Sequence, residues 1–448
     1  MRAANWAACP FLPFGLFYGA GNGATVSVRE FGSDVLHKTV ITCDGQRLES
    51  GKLEPAKYVP GGGAKLVLPA MAEPHAHLDK AFTADRVPNA TGDLAGAIAA
   101  MTKVRGRWSL ADIEERAERA ARMALVAGTT LVRTHVDVTR ETGTLHARAL
   151  LAVRDRLRGL MDIQVVALMG RPTGGDAGKD QRDLLRELLE MGVDGVGGAP
   201  YLDPDPRAAY EGLVEIAGEH RALIDLHTDE TLDAGCLTLV DFAEVVNACG
   251  YDGLATASHC VSLGMADGDT QRRVADAVAS AGLSVVTLPQ TNLFLQSRGV
   301  TTAPARGLTA IGALSDAGVT VAAGADNLQD PFNLVGRGDP LETAALLVMA
   351  AHLPPDVAYA MVSNAARRAL GHEQVTLTPG APADLVAVDA ANIREAVASA
   401  PATRTVVYRG RVVAESVMAT TVAQPQGLGQ TTGISRSFVV RPAKIPHS

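Results

Sequence analysis

Eight short apolar runs, none longer than ten residues, alternate with helix-patterned stretches between Leu66 and Asn327. Their sequences are LVLPAMAEPH, TTLVRTHVDV, DIQVVALMG, VDGVGGAP, RALIDLHTDE, LATASHC, LSVVTLP and VTVAAGADN. This rhythm leaves few folds open. A strand that is apolar along both faces must be covered on both, and helical crossovers do that for parallel strands. Eight such units predict an α/β chain closed into a (β/α)8 barrel of the TIM type. An open doubly wound sheet is the competing arrangement. The clearest helix runs from Leu110 to Ala127, with Ser109 as N-cap, Asp112 three residues later and Gly128 as stop. Ile113, Ala117, Ala120 and Ala124 form its apolar stripe. Others read over 144–157, 181–191, 207–219 and 238–248.

The flanks follow a different pattern. Strand-like pieces at 24–28 and 35–42, a turn at 43–45 and the run Pro60 to Gly63 precede the barrel. After Gly371, strands read at 384–388, 405–408 and 412–413. Residues 1–65 and 372–422 are therefore expected to form a small discontinuous β-sandwich domain beside a barrel of 66–371. An extended C-terminal arm occupies 423–448, which is rich in Gln, Thr, Gly and Ser.

A net charge of -8 and the lack of any basic stripe argue against a nucleic-acid partner. Five scattered cysteines without a CxxC pair exclude a disulfide framework or thiolate zinc site and favour a reducing compartment. The stretch from Ala3 to Ala24 resembles a secretory signal superficially, but Asn5, Pro10 and Pro13 interrupt it. No segment reaches the roughly 18 apolar residues of a membrane span. The expectation is a cytoplasmic protein without a membrane partner. Barrels of this kind also associate through their helices, so a homo-oligomer stays open.

Each apolar run ends beside residues that carry chemistry, near His77, Asp137, Gly170, Pro200, Glu230, Cys260, Pro289 and Asp326. In a parallel barrel those ends converge on the active-site face. His75 and His77, two apart on a strand, point to the same side. Alone they read equally well as loop histidines. With His227 and Asp326 at other strand ends they form a nitrogen and oxygen ligand set suited to one Zn(II) or Fe(II) ion. His135 admits two readings, a core histidine satisfied by Asp137 or a carbonyl, and a substrate contact. Cys260 reads as core packing, and Asp79 with Lys80 as an ion pair. His37, His146, His220, His352, His372 and His447 fall outside strand ends and read as incidental.

The segments Pro74 to Lys80, Arg133 to Asp137, His227 to Glu230, Ser258-His259 and Gly324 to Asp326 resemble the amidohydrolase superfamily, and within it the cytosine deaminase branch. The resemblance spans about residues 60–415, with the motifs in order. It implies a barrel with an accessory β-sandwich and a divalent metal held by His75, His77, His227 and Asp326. It also implies Glu230 as proton shuttle, His259 as the group that polarises or orients what the metal binds, and Asp326 doubling as base. Binuclear relatives carry a lysine at the fourth strand end, and 193–200 has none, so a single ion is expected.

The recognition half departs from that branch. Gly170 stands where it carries a glutamine, Asn327 where it has a second acid, Phe332 where it has tryptophan, and Tyr201 where a histidine follows the proline. Losing a bidentate amide leaves a pyrimidine edge unpaired, so cytosine is not the expected substrate. Gly170 is expected to open the pocket, with long loops at 170–178 and 294–305. Three functions follow. The leading one is metal-dependent hydrolysis of a C–N bond in an amide, amidine or amino-heterocycle. The others are trimming of a modified, peptide-like molecule, and a catalytically silent scaffold. The substrate is thus a small molecule or peptide-like, contacted by Gly170, Tyr201, Asn327, Phe332 and His135.

Overall fold

In the computed structural model, residues 65–378 and 380–419 are described, together with short strand segments at 15–16, 25–29, 36–40, 43–44, 47–48 and 53–55. The signal-like stretch 3–24, apart from 15–16, and the arm at 423–448 lie outside the described residues. Eight strands form one parallel sheet: β1 (Met71–Ala76), β2 (Thr129–Val138), β3 (Asp162–Met169), β4 (Gly195–Gly198), β5 (Leu223–Thr228), β6 (Ala255–His259), β7 (Ser284–Thr287) and β8 (Val321–Ala323). Each neighbours the next, and a parallel bridge between Ala76 and Asp326 brings the last back to the first. The closed barrel wins over the open sheet. Nearly every strand residue is buried, as strands covered on both sides require.

The helices follow the apolar periodicity. Helix α1 (Leu94–Thr102) lies in the excursion between β1 and β2, and α2 (Leu110–Val126) follows it. The Ser109 hydroxyl accepts from the amide of Asp112 at 3.2 Å, and Ile113, Ala117, Ala120 and Ala124 are buried. A cap of this kind contributes about 1 kcal/mol. Later helices at Leu145–Arg156, Lys179–Glu190, Pro206–His220 and Leu239–Ala248 agree with expectation to within two residues at each end. Among the described residues no helix is long and apolar enough to cross a membrane.

One apolar run serves two sheets. The stretch 66–75, which reads as a single strand, divides at Ala70, whose amide donates to Asp384 O at 2.9 Å. Before it, Lys65–Pro69 pairs antiparallel with Leu385–Val388 in a five-stranded sheet ordered 15–16, 65–69, 385–388, 404–408, 411–416. Both halves are equally apolar, so periodicity does not mark the switch. Buried Arg404 anchors this sheet, with its guanidinium bonding both Asp339 oxygens at 2.9 and 2.6 Å. The expected loop at 294–305 also begins late, because Pro289–Leu295 is helical.

Candidate active site

The strand ends gather the chemistry-bearing residues at one mouth. His75 and His77 leave β1, His227 sits within β5, His259 ends β6, and Asp326 follows β8. Three residues there adopt left-handed backbone: Asp229 (φ 49°), His259 (φ 73°) and Asp326 (φ 64°). Non-glycine residues pay for that conformation, and such strain collects at functional sites. At Asp229 its compensation is visible. The carboxylate accepts from Thr238 Oγ1 (2.6 Å) and from the amides of Thr238 (3.1 Å) and Leu239 (3.0 Å), at the start of helix Leu239–Ala248. This is the bend that carries Glu230 back beside His227.

The ligand-type atoms face one another. His77 Nε2 lies 3.2 Å from His227 Nε2 and 3.2 Å from Asp326 Oδ1, and His75 Nε2 lies 3.7 Å from the same oxygen. His75 Nδ1 is engaged by Ser258 Oγ at 2.9 Å, and His77 Nδ1 donates to His135 O at 3.2 Å. These bonds turn both Nε2 lone pairs inward, the outer-shell arrangement that metal-binding imidazoles use. Burial holds His75 at about 4, His77 at about 3 and His227 well below its usual range, so all three are neutral at pH 7. His75 Nε2 and Asp326 Oδ1 are buried without a hydrogen-bond partner among the described residues. His75, His77 and Asp326 form one cluster of ligand-type atoms and His75, His227 and His259 another, and neutral imidazoles beside a carboxylate fit a divalent cation.

Glu230 stands beside them. Its carboxyl is pushed well above the usual range, first by burial and then by the charge of Asp326, with the Tyr201 hydroxyl acting in the opposite sense. Its Oε1 lies 3.6 Å from His259 Nδ1. That nitrogen also meets Asn292 Oδ1 at 3.2 Å, and His259 Nε2 is 4.0 Å from Asp326 Oδ2. An imidazole, a carboxyl whose pKa burial raises, and the Asp326 side chain thus share one small space.

Residues 127–414 match the family described as "Amidohydrolase family". The chain belongs to the amidohydrolase family. It is 34% identical over 359 residues to a pterin deaminase of Rhizobium rhizogenes, covering 79% of this chain and 81% of that protein. The structure of N-isopropylammelide isopropylaminohydrolase from Burkholderia multivorans superposes with a TM-score of 0.71 at 32% identity, over 86% of this chain and 96% of the other. That of 5-methylcytosine deaminase from Klebsiella pneumoniae does so with a TM-score of 0.77 at 27% identity, over 88% and 97%. This amidohydrolase is a hydrolase acting on C–N bonds. Its relatives act on small molecules, which favours neither peptide trimming nor a silent scaffold.

The amidohydrolase site opens into a cavity of about 360 Å3. Gly170, Tyr201, Asn327 and Phe332 line it, as do His77, His227, Glu230, His259 and Asp326. His135 does not. It lies fully buried beneath the site, stacked on His75 at 4.0 Å, with neither ring nitrogen bonded among the described residues. Strand β2 runs on past it, so Asp137 and Thr139 reach the cavity instead. Nor do Asp79 and Lys80 pair with each other, because adjacent side chains leave the chain in different directions. Lys80 Nζ meets Asp137 at 2.9 Å, and Asp79 meets His146 Nδ1 at 2.7 Å. His146 is therefore a buried structural residue rather than an incidental one.

Two recognition positions differ in detail from expectation. A Cβ at Gly170 would meet Thr139 Cγ2 at 3.1 Å and Val138 O at 3.2 Å, so the glycine lets two strands approach rather than emptying the pocket. The Asn327 amide is occupied within its own loop, donating to Asp330 Oδ2 at 2.8 Å. Sequence reasoning missed Asp225 and Asn292, and named Ser258 and Arg133 only within motif segments, without their role in supporting the histidines. It also missed the apolar wall from α1, formed by Leu94, Ile98 and Met101. Ser258 is the penultimate residue of β6, and that placement was the available signal, whereas Asn292 lies within the helix Pro289–Leu295 that follows β7.

Proposed function

We propose that this amidohydrolase deaminates an amino-substituted heterocycle other than cytosine, using one divalent ion, Zn(II) or Fe(II), held by His75, His77, His227 and Asp326. The relatives named for pterin and 5-methylcytosine deamination support the reaction type. The observation that carries it is the buried Glu230, lining the cavity with its carboxyl 3.6 Å from His259 Nδ1 beside Asp326. When bound, the ion would lower the pKa of water and polarise the carbon under attack. Asp326 accepts the proton of the attacking water on Oδ2, the oxygen that faces His259 Nε2, while Oδ1 is turned to His75 and His77. His259, held at Nδ1 by Asn292, directs Nε2 towards Asp326 and orients that water between them. Glu230 delivers a proton to the departing nitrogen, a general-acid role that its raised pKa suits. Burial of all four groups keeps bulk water from competing.

We assign this chemistry to the barrel, 66–371, and an accessory role to 1–65 with 372–422. The test is ammonia release from a panel of aminopteridines, aminopyrimidines and aminotriazines. Glu230→Gln should retain metal and lose turnover by roughly 100-fold or more. His227→Ala should lose metal and turnover together. Substantial ammonia release by Glu230→Gln would refute the shuttle.

A further inference from the structure

We propose that the Lys80–Asp137 pair reads a lactam edge of the substrate, the ammonium donating to a ring carbonyl and the carboxylate accepting from the adjacent ring N–H. The inference rests on the deaminase reading above and names the substrate class, a neutral flat heterocycle carrying that edge. Both side chains line the cavity while being only 4% and 7% exposed. Nζ bonds Asp137 Oδ1 at 2.9 Å. An ammonium has three donors and a carboxylate about four acceptor sites. Among the described residues, no further hydrogen bond takes up the remaining donors of Nζ or reaches Oδ2 of Asp137.

A pair built only for packing would be a poor choice, because desolvating two charges costs as much as their attraction returns. Here the surroundings hold the pair in place at a wall. Asp79 Oδ2 accepts from the Asp137 amide at 2.9 Å and is itself fixed by His146. The Phe332 ring lies 5.1 Å from Nζ and also faces the cavity. Gly170, whose amide donates to Val138 O at 2.6 Å, adds no side chain to this wall. Lys80 is near enough to the reacting end for its charge to act on both His77 and Glu230. The pair as a whole is neutral, so it selects a neutral edge that offers one acceptor beside one donor. A lactam offers them in the order carbonyl to Lys80 and N–H to Asp137, an amidine edge in the reverse order, and with the reacting carbon fixed at the other end a buried site of this kind discriminates strongly against the reversed edge.

The probes are 2-amino-4-oxopteridine, which has the edge, and 2,4-diaminopteridine, in which an amine and a bare ring nitrogen replace it. With the metal-loaded protein, ammonia release and calorimetric binding should favour the oxo compound by on the order of 100-fold. The double variant Lys80→Met/Asp137→Leu removes both charges, leaves no unpaired ion, and should retain metal while losing most of that preference. If it does not fold, Lys80→Arg keeps the pair but moves the donor and should lower the preference too. Equal handling of the two compounds by the unaltered protein, or a preference unchanged in the variants, overturns the inference. Release of ammonia without edge preference sinks it alone. No release from any aminoheterocycle sinks the deaminase reading, and calorimetry then decides the edge separately.

Discussion

His75 illustrates how much of a side chain's behaviour is decided one bond away from it. Its Nδ1 meets Ser258 Oγ, and that hydroxyl donates to Asp225 Oδ1 at 2.7 Å. Asp225 is fully buried and bonded to Arg133 at 2.8 Å. Burial alone would raise its pKa, but His135, His75 and Arg133 hold it well below the usual range, so a fixed charge sits at the base of the chain of bonds. Ser258→Ala removes the link and leaves the first set of ligands intact. Metal affinity, measured by competition with a chelator, should fall roughly 10- to 100-fold. An affinity unchanged within error would mean that β1 alone orients the ring. The residues proposed as ligands could be named from sequence because His227 and Asp326 stand at other strand ends; the His75–His77 period of two would not have sufficed alone. The supporting role of Ser258, Asp225 and Arg133 was not legible, because these residues come from three strands and are chemically unremarkable until the barrel closes.

Elements are held to one another by similar buried contacts, and one of them titrates. The helix Leu145–Arg156 carries His146, which bonds Asp79 in the segment after β1. Burial opposes protonation of His146, but the bond and charge of Asp79 outweigh it and raise its pKa above the ordinary 6.5. Burial likewise opposes ionisation of Asp79, and His146 overcomes that and lowers its pKa below 3.8. The histidine's contribution to stability is thus complete below about pH 6.5 and is lost as pH rises through its folded value. The aspartate's is present above about pH 4 and is lost as pH falls through its own depressed value. Urea unfolding between pH 6 and 9 should show stability declining with pH, and His146→Asn should flatten that decline. A slope the same in both proteins would remove the pair from the account. This contact was hidden because sequence places His146 in a helix, where an apolar neighbour and a buried partner look alike. The turn at Asp229 was half legible. Shared use of His227 and Glu230 demanded a bend, yet the capping bonds that hold it depend on where Thr238 falls in space.

At the scale of the whole molecule, the alternation of eight apolar runs with helices pointed to a parallel sheet of eight strands, and its closure is decided by the Ala76–Asp326 bridge. The division of 66–75 between two sheets was not legible, since both parts are apolar and only the partner strands differ. The seam between β8 and β1 has a further property. It is closed by the single Ala76–Asp326 bridge, by the Asp326 amide donating to His75 O at 3.1 Å, and by buried Glu73. Glu73 accepts from the amides of His75 (3.1 Å) and Ala325 (2.9 Å), and a Cβ at Gly324 would come within 2.3 Å of it. First and last strands are therefore fastened through the residues proposed to bind the ion. A species that binds only the closed ring stabilises it in proportion to its occupancy. Hydrogen exchange followed by mass spectrometry should show the peptides around 71–77 and 321–327 exchanging faster after chelation, ahead of those spanning β3 and β4. Uniform change across all eight strands would argue against it. Metal supply would then govern how long this barrel stays shut as well as how fast it turns over, and a starved cell would hold a population opened along one seam.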